Sequence, residues 1–325
     1  MMYPHLRHFD DGVAMVVTDL HGEGVIFDRV LQTFFDLRED GKADRLIICG
    51  DLLHIRRSAE DHSLRMIREV MRWQEKLGDD TIIMLMGNHE MPHIYSLAFS
   101  KGDEEYTASF EHTLTASGHR QPVMDFLRSL PFYATTHAGV LITHAGASVA
   151  VTEVADVQNL LTFDHQALLH LGDDLIRNQI DIEMLKADEA YQRDARAFTA
   201  VDDVDDPRFT HLLRGQIIAN REDQFHFLWD VLFARNEQKW GEAYPVIVDK
   251  FLEAVSEAIG QTQRVVLSGH IATQGGHAIV TPHHLRLSSY AHAHPHSTGV
   301  YLLLDCGQAV TSADDLLPAL YPVLS

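Results

Sequence analysis

Five short stretches of this chain each follow an apolar run and carry residues that can hold a metal. TDLHG (18–22) offers Asp19 and His21, GDLLH (50–54) offers Asp51 and His54, and GNHE (87–90) offers Asn88, His89 and Glu90. HAG (144–146) adds His144, and SGH (268–270) adds His270. Imidazole, carboxylate and amide oxygen together suit Mn, Fe or Zn first, with Ni or Mg after them. Asp19, His21, Asp51, Asn88, His144 and His270 make six donors. Six is too many for one catalytic zinc that keeps a position open. It suits two divalent or trivalent ions sharing a bridging carboxylate. Two ions roughly 3.5–4 Å apart can clamp a phosphoryl group and activate a water. Taken singly, each residue also reads as a polar turn residue, and Asp19 or Asn88 could cap a helix. The ordered set is what argues for metal.

The donors need a frame to bring them together. VAMVVT (13–18), RLIIC (45–49) and TIIMLM (81–86) read as buried strands. A helix is expected over 25–38, with Ile26, Val30, Phe34 and Leu37 on one face, Leu31 and Phe35 beside them, and Gly41 as its stop. A second is expected from Ala59 to Leu77, capped by Ser58 with Asp61 three residues on, buried through Leu64, Ile67, Met71 and Leu77, and closed by Gly78. This β-α-β-α-β order implies a parallel sheet with right-handed crossovers. VLIT (140–143), RVVLS (264–268) and VYLLLD (300–305) are further strands. Residues 151–260 between them are mostly helical in pattern, with an acidic turn at DDVDDP (202–207). The expected architecture is one α/β domain over 1–325 with a helical insertion at 151–260, a candidate substrate lid. In parallel α/β sheets ligands bind beyond the carboxyl ends of the strands. Five strands would therefore deliver the donors to one edge.

TDLHG, GD, GNHE, HAG and GH, in this order, resemble the calcineurin-like metallophosphoesterases. Among these they are most similar to the phosphoprotein phosphatase branch and its bacterial serine/threonine phosphatases, with GDxHG, GDxxDR, GNHE, HGG and a late His. The resemblance implies a two-sheet β-sandwich flanked by helices. It implies that Asp19, His21 and Asp51 hold one ion, and that Asp51 bridges to a second held by Asn88, His144 and His270. His89 would be the general acid that protonates the leaving oxygen, a role suited to imidazole. Such enzymes attack phosphorus directly with metal-bound hydroxide.

The departures fall on substrate contacts. GDxxDR reads GDLLHI, so His54 stands in place of an aspartate that orients the catalytic His, and Ile55 in place of a phosphate-binding arginine. Arg56 and Arg57 follow at once and are candidates for that contact. LWDVLFARN (228–236) faintly resembles a segment of bacterial relatives that supplies another such arginine, which makes Arg235 a candidate. The bland alternatives are a loop or core histidine at 54 and surface charges at 56, 57 and 235. The His-rich tract 277–296, with His292, His294 and His296 alternating, reads as a loop whose metal affinity is incidental. Cys49, Met84 and Met86 read as core.

Composition narrows the partners. The chain has 325 residues and a formal charge of −21, which argues against broad binding to nucleic acid or anionic membrane. Two cysteines make no disulfide framework and no thiolate zinc site. No run approaches 18 apolar residues, and MMYPHLRHFDDG lacks a signal peptide's apolar stretch. A cytoplasmic protein is expected, with its oligomeric state open. Three functions fit: a phosphatase acting on phosphomonoesters, with phosphorylated Ser, Thr or Tyr in proteins as first expectation; a nucleotide, dinucleoside polyphosphate or phosphodiester hydrolase on the same ions; or a non-catalytic binding protein.

Overall fold

The apolar runs become strands of two sheets. The computed structural model describes residues 3–55, 60–101, 104–233 and 235–324. One sheet orders its strands Leu320–Pro322, Val300–Asp305, Val13–Val17, Arg45–Ile48 and Ile82–Met84. The last three run parallel, as the alternation of strand and helix requires. The other sheet orders Leu6–Phe9, Tyr133–Thr136, Val140–Thr143, Val265–Ser268, His284–Leu287 and His277–Thr281.

Period-2 alternation builds the core between them. Ala14, Val16, Ile47, Ile83, Leu302 and Leu304 from one sheet join Ala134, Val140, Ile142, Val265, Leu267 and Leu285 from the other in a single buried cluster. Cys49 belongs to that cluster, and burial drives its thiol pKa well up, as suits a packing residue. Met84 and Met86 are fully buried. The intervening strand positions, such as Met15, Leu46 and Ile48, are buried too, which is why these strands read as continuous apolar runs.

The first helix spans Gly24–Glu39 and buries Ile26, Val30, Leu31 and Phe34, and Gly41 follows it at φ 68°. The second spans Ser63–Leu77, four residues later than its sequence start. Asp61 accepts from the backbone N–H of Ser63 at 2.9 Å and so holds the start of the helix there. Ser58 and Ala59 lie outside the described residues. Its buried face is Ser63, Met66, Ile67 and Val70, while Leu64, Met71 and Leu77 are half-buried. The strands Leu6–Phe9 and Tyr133–Thr136 and the hairpin 277–287 were not expected from sequence. Among the described residues no helix is long and apolar enough to cross a membrane.

The chain divides into two compact units. Both sheets belong to the first, made of 1–89, 129–163 and 229–325. The second takes 90–128 and 164–228 and is mainly helical. Three of its helices start on aspartates, Asp164, Asp181 and Asp188, whose side chains accept first-turn N–H groups. Its acidic turn is laced by ion pairs, Asp202 with Arg196, Asp205 with Lys186 and Asp206 with Arg208. A buried carboxylate, Glu111, ties His93 (Nδ1 to Oε1, 2.7 Å) to Arg120. Burial alone would raise the Glu111 carboxyl, but His93 and Arg120 more than offset this and hold it below its ordinary value. Glu111→Ala should therefore cost about 3 kcal/mol at neutral pH, measured by denaturant melts. A depressed folded pKa means this contribution is present above the unfolded value of 4.5 and is lost as the pH falls. The gap between wild type and variant should narrow accordingly in acid.

Candidate metal centre

The strand ends bring six predicted donors into one buried site. Asp19, with His21 two residues on, follows Val17 by two residues, Asp51 follows Ile48 by three, and Asn88 follows Met84 by four. His144 directly follows Thr143, and His270 follows Ser268 by two. Asp19, His21, Asp51 and Asn88 come from the five-stranded sheet and His144 and His270 from the six-stranded sheet. All six residues are buried.

Backbone strain gathers here. Among the described residues, seven non-glycines have positive φ, and Asp19, His21, Asp51, His54 and His270 are five of them. Side chains there cost about 1–3 kcal/mol each and persist only where the surroundings enforce them. Two glycines permit the close approach. A Cβ on Gly50 would meet the Gly87 backbone at 2.6 Å, and one on Gly269 would meet Asp19 Oδ2 at 2.3 Å. The GD and GH dipeptides thus owe their glycines to crowding around the donors.

Hydrogen bonds set the tautomers. His144 Nδ1 donates to Cys49 O at 2.7 Å, which leaves Nε2 with a lone pair. That Nε2 faces Asn88 Oδ1 at 2.8 Å, Asp51 Oδ1 at 3.4 Å and His270 Nδ1 at 3.2 Å. His21 Nδ1 donates to Leu53 O at 3.1 Å, and its Nε2 faces Asp51 Oδ2 at 3.6 Å. Ring N–H groups anchored on carbonyls, with bare nitrogens turned inward, are the outer support that metal-binding histidines use. Acceptor atoms facing one another this closely repel unless a cation lies among them.

One member of the site escaped the sequence reading. His292 is buried, and its Nδ1 stands 2.9 Å from Asp19 Oδ1 at an angle that makes no hydrogen bond. Its ring also meets His21, centroids 5.1 Å apart. The His-rich tract is therefore no uniform loop. It forms a hairpin, buries His284, sends His292 into the site, and leaves His294 and His296 exposed. Burial opposes the Asp19 charge, and His292, then His144 and His21, more than offset it and hold this carboxyl well below its usual range. Burial first, then His144, pushes His270 well below its ordinary value, keeping the ring neutral as a donor must be.

His89 sits beside these donors. Its backbone N–H donates to Asp51 Oδ1 at 3.0 Å, and its Nε2 is 3.9 Å from Asp51 Oδ2. His54 reaches it, Nδ1 to Nδ1 at 2.9 Å, so the residue standing in for the expected aspartate does touch this ring. His54 is itself held by its N–H donating to Ser63 Oγ at 2.9 Å. Arg235 is exposed and makes no ion pair among the described residues. Arg56 and Arg57 lie outside them.

Residues 13–215 match the family model described as calcineurin-like phosphoesterase. The chain belongs to that family. It is a metal-dependent phosphoesterase with an α/β fold of two sheets flanked by helices. A cold-active protein tyrosine phosphatase is similar in structure, 14% identical over 94% of this chain and 77% of that one, with a TM-score of 0.50. That likeness concerns the fold. A protein serine/threonine phosphatase from Saccharomyces cerevisiae is 15% identical over 95% and 79%, with a TM-score of 0.47. A cold-active protein-tyrosine phosphatase of a psychrophilic Shewanella species is 16% identical over 94% and 79%, with a TM-score of 0.46. No curated protein matches the chain.

Calcineurin-like phosphoesterases work with two metal ions, and this one has the donors for them. Asp19–His21–His292, His21–Asp51–His89 and Asp51–His144–His270 each bring their donor atoms within 4.8 Å of one another. Bonds near 2.1 Å place neighbouring ligands about 3.0–3.4 Å apart around an ion. The contacts of His144 Nε2 with His270 Nδ1 and Asp51 Oδ1, 3.2 and 3.4 Å, lie in that range and the one with Asn88 Oδ1, 2.8 Å, just below it, so the residues fit the ions.

Proposed function

We propose that the enzyme hydrolyses phosphomonoesters on a dinuclear centre, with phosphorylated protein side chains as its substrate class. The observation that carries this reading is the set of inward-turned acceptors around Asp51, with His89 beside it. Asp19, His21 and His292 would hold one ion, Asn88, His144 and His270 the other, and Asp51 both. Ions at this place would supply positive charge to the phosphoryl oxygens and lower the pKa of a bound water. The side chains do the rest. Cys49 O and Leu53 O fix the inward faces of His144 and His21. His89, presented by its bonds to Asp51 and His54, gives its proton to the leaving oxygen. The order of motifs supports the phosphoprotein class.

The position where the resemblance expects a phosphate-binding arginine is Ile55, half-buried and apolar. This favours a second reading, cleavage of a diester or phosphoanhydride such as a nucleotide.

Chelated protein, reloaded with Mn, Ni, Zn, Fe or Mg, should recover hydrolysis of a phosphomonoester chromogen. Recovery confined to a bis-ester would transfer the assignment to the second reading, and recovery of neither, with two ions bound, would overturn both. His292→Ala should weaken one of the two ions at least 10–100-fold, the range already typical of outer partners of a metal ligand. Metal analysis across a chelator titration checks this, and two ions held with unchanged affinity would remove His292 from the set.

A further inference from the structure

The strand His284–Leu287 buries both of its faces. Leu285 and Leu287 belong to the apolar cluster between the sheets. His284 and Arg286 alternate with them on the outer face, 0% and 1% exposed. Apolar side chains would fill that face without the cost of burying polar groups, whereas an imidazole and a guanidinium there need partners. The partners lead to two metal donors.

His284 Nε2 meets Ser268 Oγ at 2.8 Å, and Ser268 lies two residues before His270. His284 Nδ1 meets the Tyr244 hydroxyl at 3.0 Å. Both groups stand against the turn that follows His144. A Cβ on Gly146, two residues past His144 and at φ 89°, would lie 2.9 Å from His284 Cε1 and 3.3 Å from the Tyr244 hydroxyl oxygen. Burial raises the Tyr244 hydroxyl pKa, and Arg286 and a hydrogen bond with the Ala147 backbone oppose this. Burial, then Arg286, pushes His284 well below its ordinary value, so its ring is neutral. One ring nitrogen then donates and the other accepts, and the ring bridges the two hydroxyls. Arg286 holds the far end. Its Nη2 donates to Ser268 Oγ at 3.4 Å, and Glu237 takes the guanidinium with both oxygens, Nη2 to Oε2 at 2.5 Å.

His144 and His270 converge from adjacent strands. Thr143 pairs in register with Ser268, and Gly269 N–H donates to His144 O at 2.9 Å. His144 Nε2 comes to 3.2 Å from His270 Nδ1. The strand pairing ends at Thr143 and Ser268, and the His284 bridge spans the same two turns through side chains. A satisfied buried polar network holds one arrangement more firmly than its separate bonds would.

We propose that His284 is a positioning residue for one ion of the pair: with Tyr244 and Ser268 it fixes the turns that carry His144 and His270, and so acts on the ion at Asn88, His144 and His270 but not on the ion at Asp19, His21 and His292. This rests on the dinuclear reading of the centre.

The test is a chelator titration of the manganese-loaded, full-length protein, with metal content read at each step. His284→Phe keeps a flat ring and removes both hydrogen bonds. It should weaken one ion about 10–100-fold, the range for residues that support a metal ligand, and leave the other as in wild type. At chelator levels that strip the weaker ion, the manganese electron paramagnetic resonance spectrum should change from that of a coupled pair to that of a single ion. Asn88→Ala shows which ion is affected, because it removes a ligand of the one at His144 and His270. The ion that Asn88→Ala retains should be held equally well when His284→Phe is added, and a further weakening there would overturn the proposal. So would a folded His284→Phe protein with both ions at wild-type affinity, or with both weakened alike, the mark of a merely structural role. If His284→Phe does not fold, Tyr244→Phe removes a single hydroxyl and should weaken the same ion about tenfold. Both ions unchanged in Tyr244→Phe would then overturn the proposal. Wild-type protein that saturates at one ion per chain would instead overturn the dinuclear reading itself.

Discussion

Asp51→Asn should lose both ions and at least a thousandfold in kcat/KM, about 4 kcal/mol of transition-state stabilisation. Asp51 is the middle of the site. Its Oδ1 lies 3.4 Å from His144 Nε2 and its Oδ2 3.6 Å from His21 Nε2, so it faces donors proposed for each ion. Asparagine has the same shape and tolerates the φ of 53° better than most residues. Its amide oxygen can still accept from His89 N–H, the bond that Oδ1 makes at 3.0 Å. The fold should therefore survive while the shared negative charge disappears. Metal analysis and a circular dichroism spectrum on the same sample separate the two effects. An active Asp51→Asn enzyme with both ions bound would end the dinuclear assignment.

Residues that stand alone at the end of an apolar run were legible in the sequence. Asp19, Asp51, Asn88, His144 and His270 each follow one strand, and a parallel α/β order sends such positions to a common edge. His292 had no such signal. It lies 22 residues past His270, and it is placed partly by a tertiary hydrogen bond, Ala291 N–H to Asp19 O at 3.2 Å. Repeated histidines around it, of which His284 is buried and His294 exposed, hid the one that enters the site. Short strands with polar residues, such as Leu6–Phe9 and Tyr133–Thr136, are set by tertiary pairing, with each other and, for the second, with Val140–Thr143, and left no period to read. The helix expected from Ala59 starts at Ser63 because one side chain, Asp61, holds its first N–H group. The strained φ values at Asp19, His21, Asp51, His54 and His270 run against local propensity, which is where a functional site and a sequence rule are expected to part.

His89→Asn should keep both ions and slow turnover 10²–10⁴-fold, the range of a positioned acid. His89 lies at the edge of one donor group, with His21 and Asp51, so a rival role as ligand is testable. Its Nε2 stands 3.9 Å from Asp51 Oδ2, farther out than the His144 and His21 nitrogens. Its Nδ1 is engaged by His54 at 2.9 Å, so one ring donates this bond and the other accepts it. With His54 donating, the His89 proton resides on Nε2, the nitrogen turned toward Asp51. His54→Ala should then cost a smaller factor, about tenfold, because the ring stays in place but its tautomer is no longer selected. Leaving-group dependence separates acid from ligand. A substrate whose alcohol leaves without a proton should recover much of the rate in His89→Asn, whereas a natural alkyl phosphate should not. An ion lost from His89→Asn, with equal rate losses on both substrates, would make His89 a ligand and leave the proton to another group.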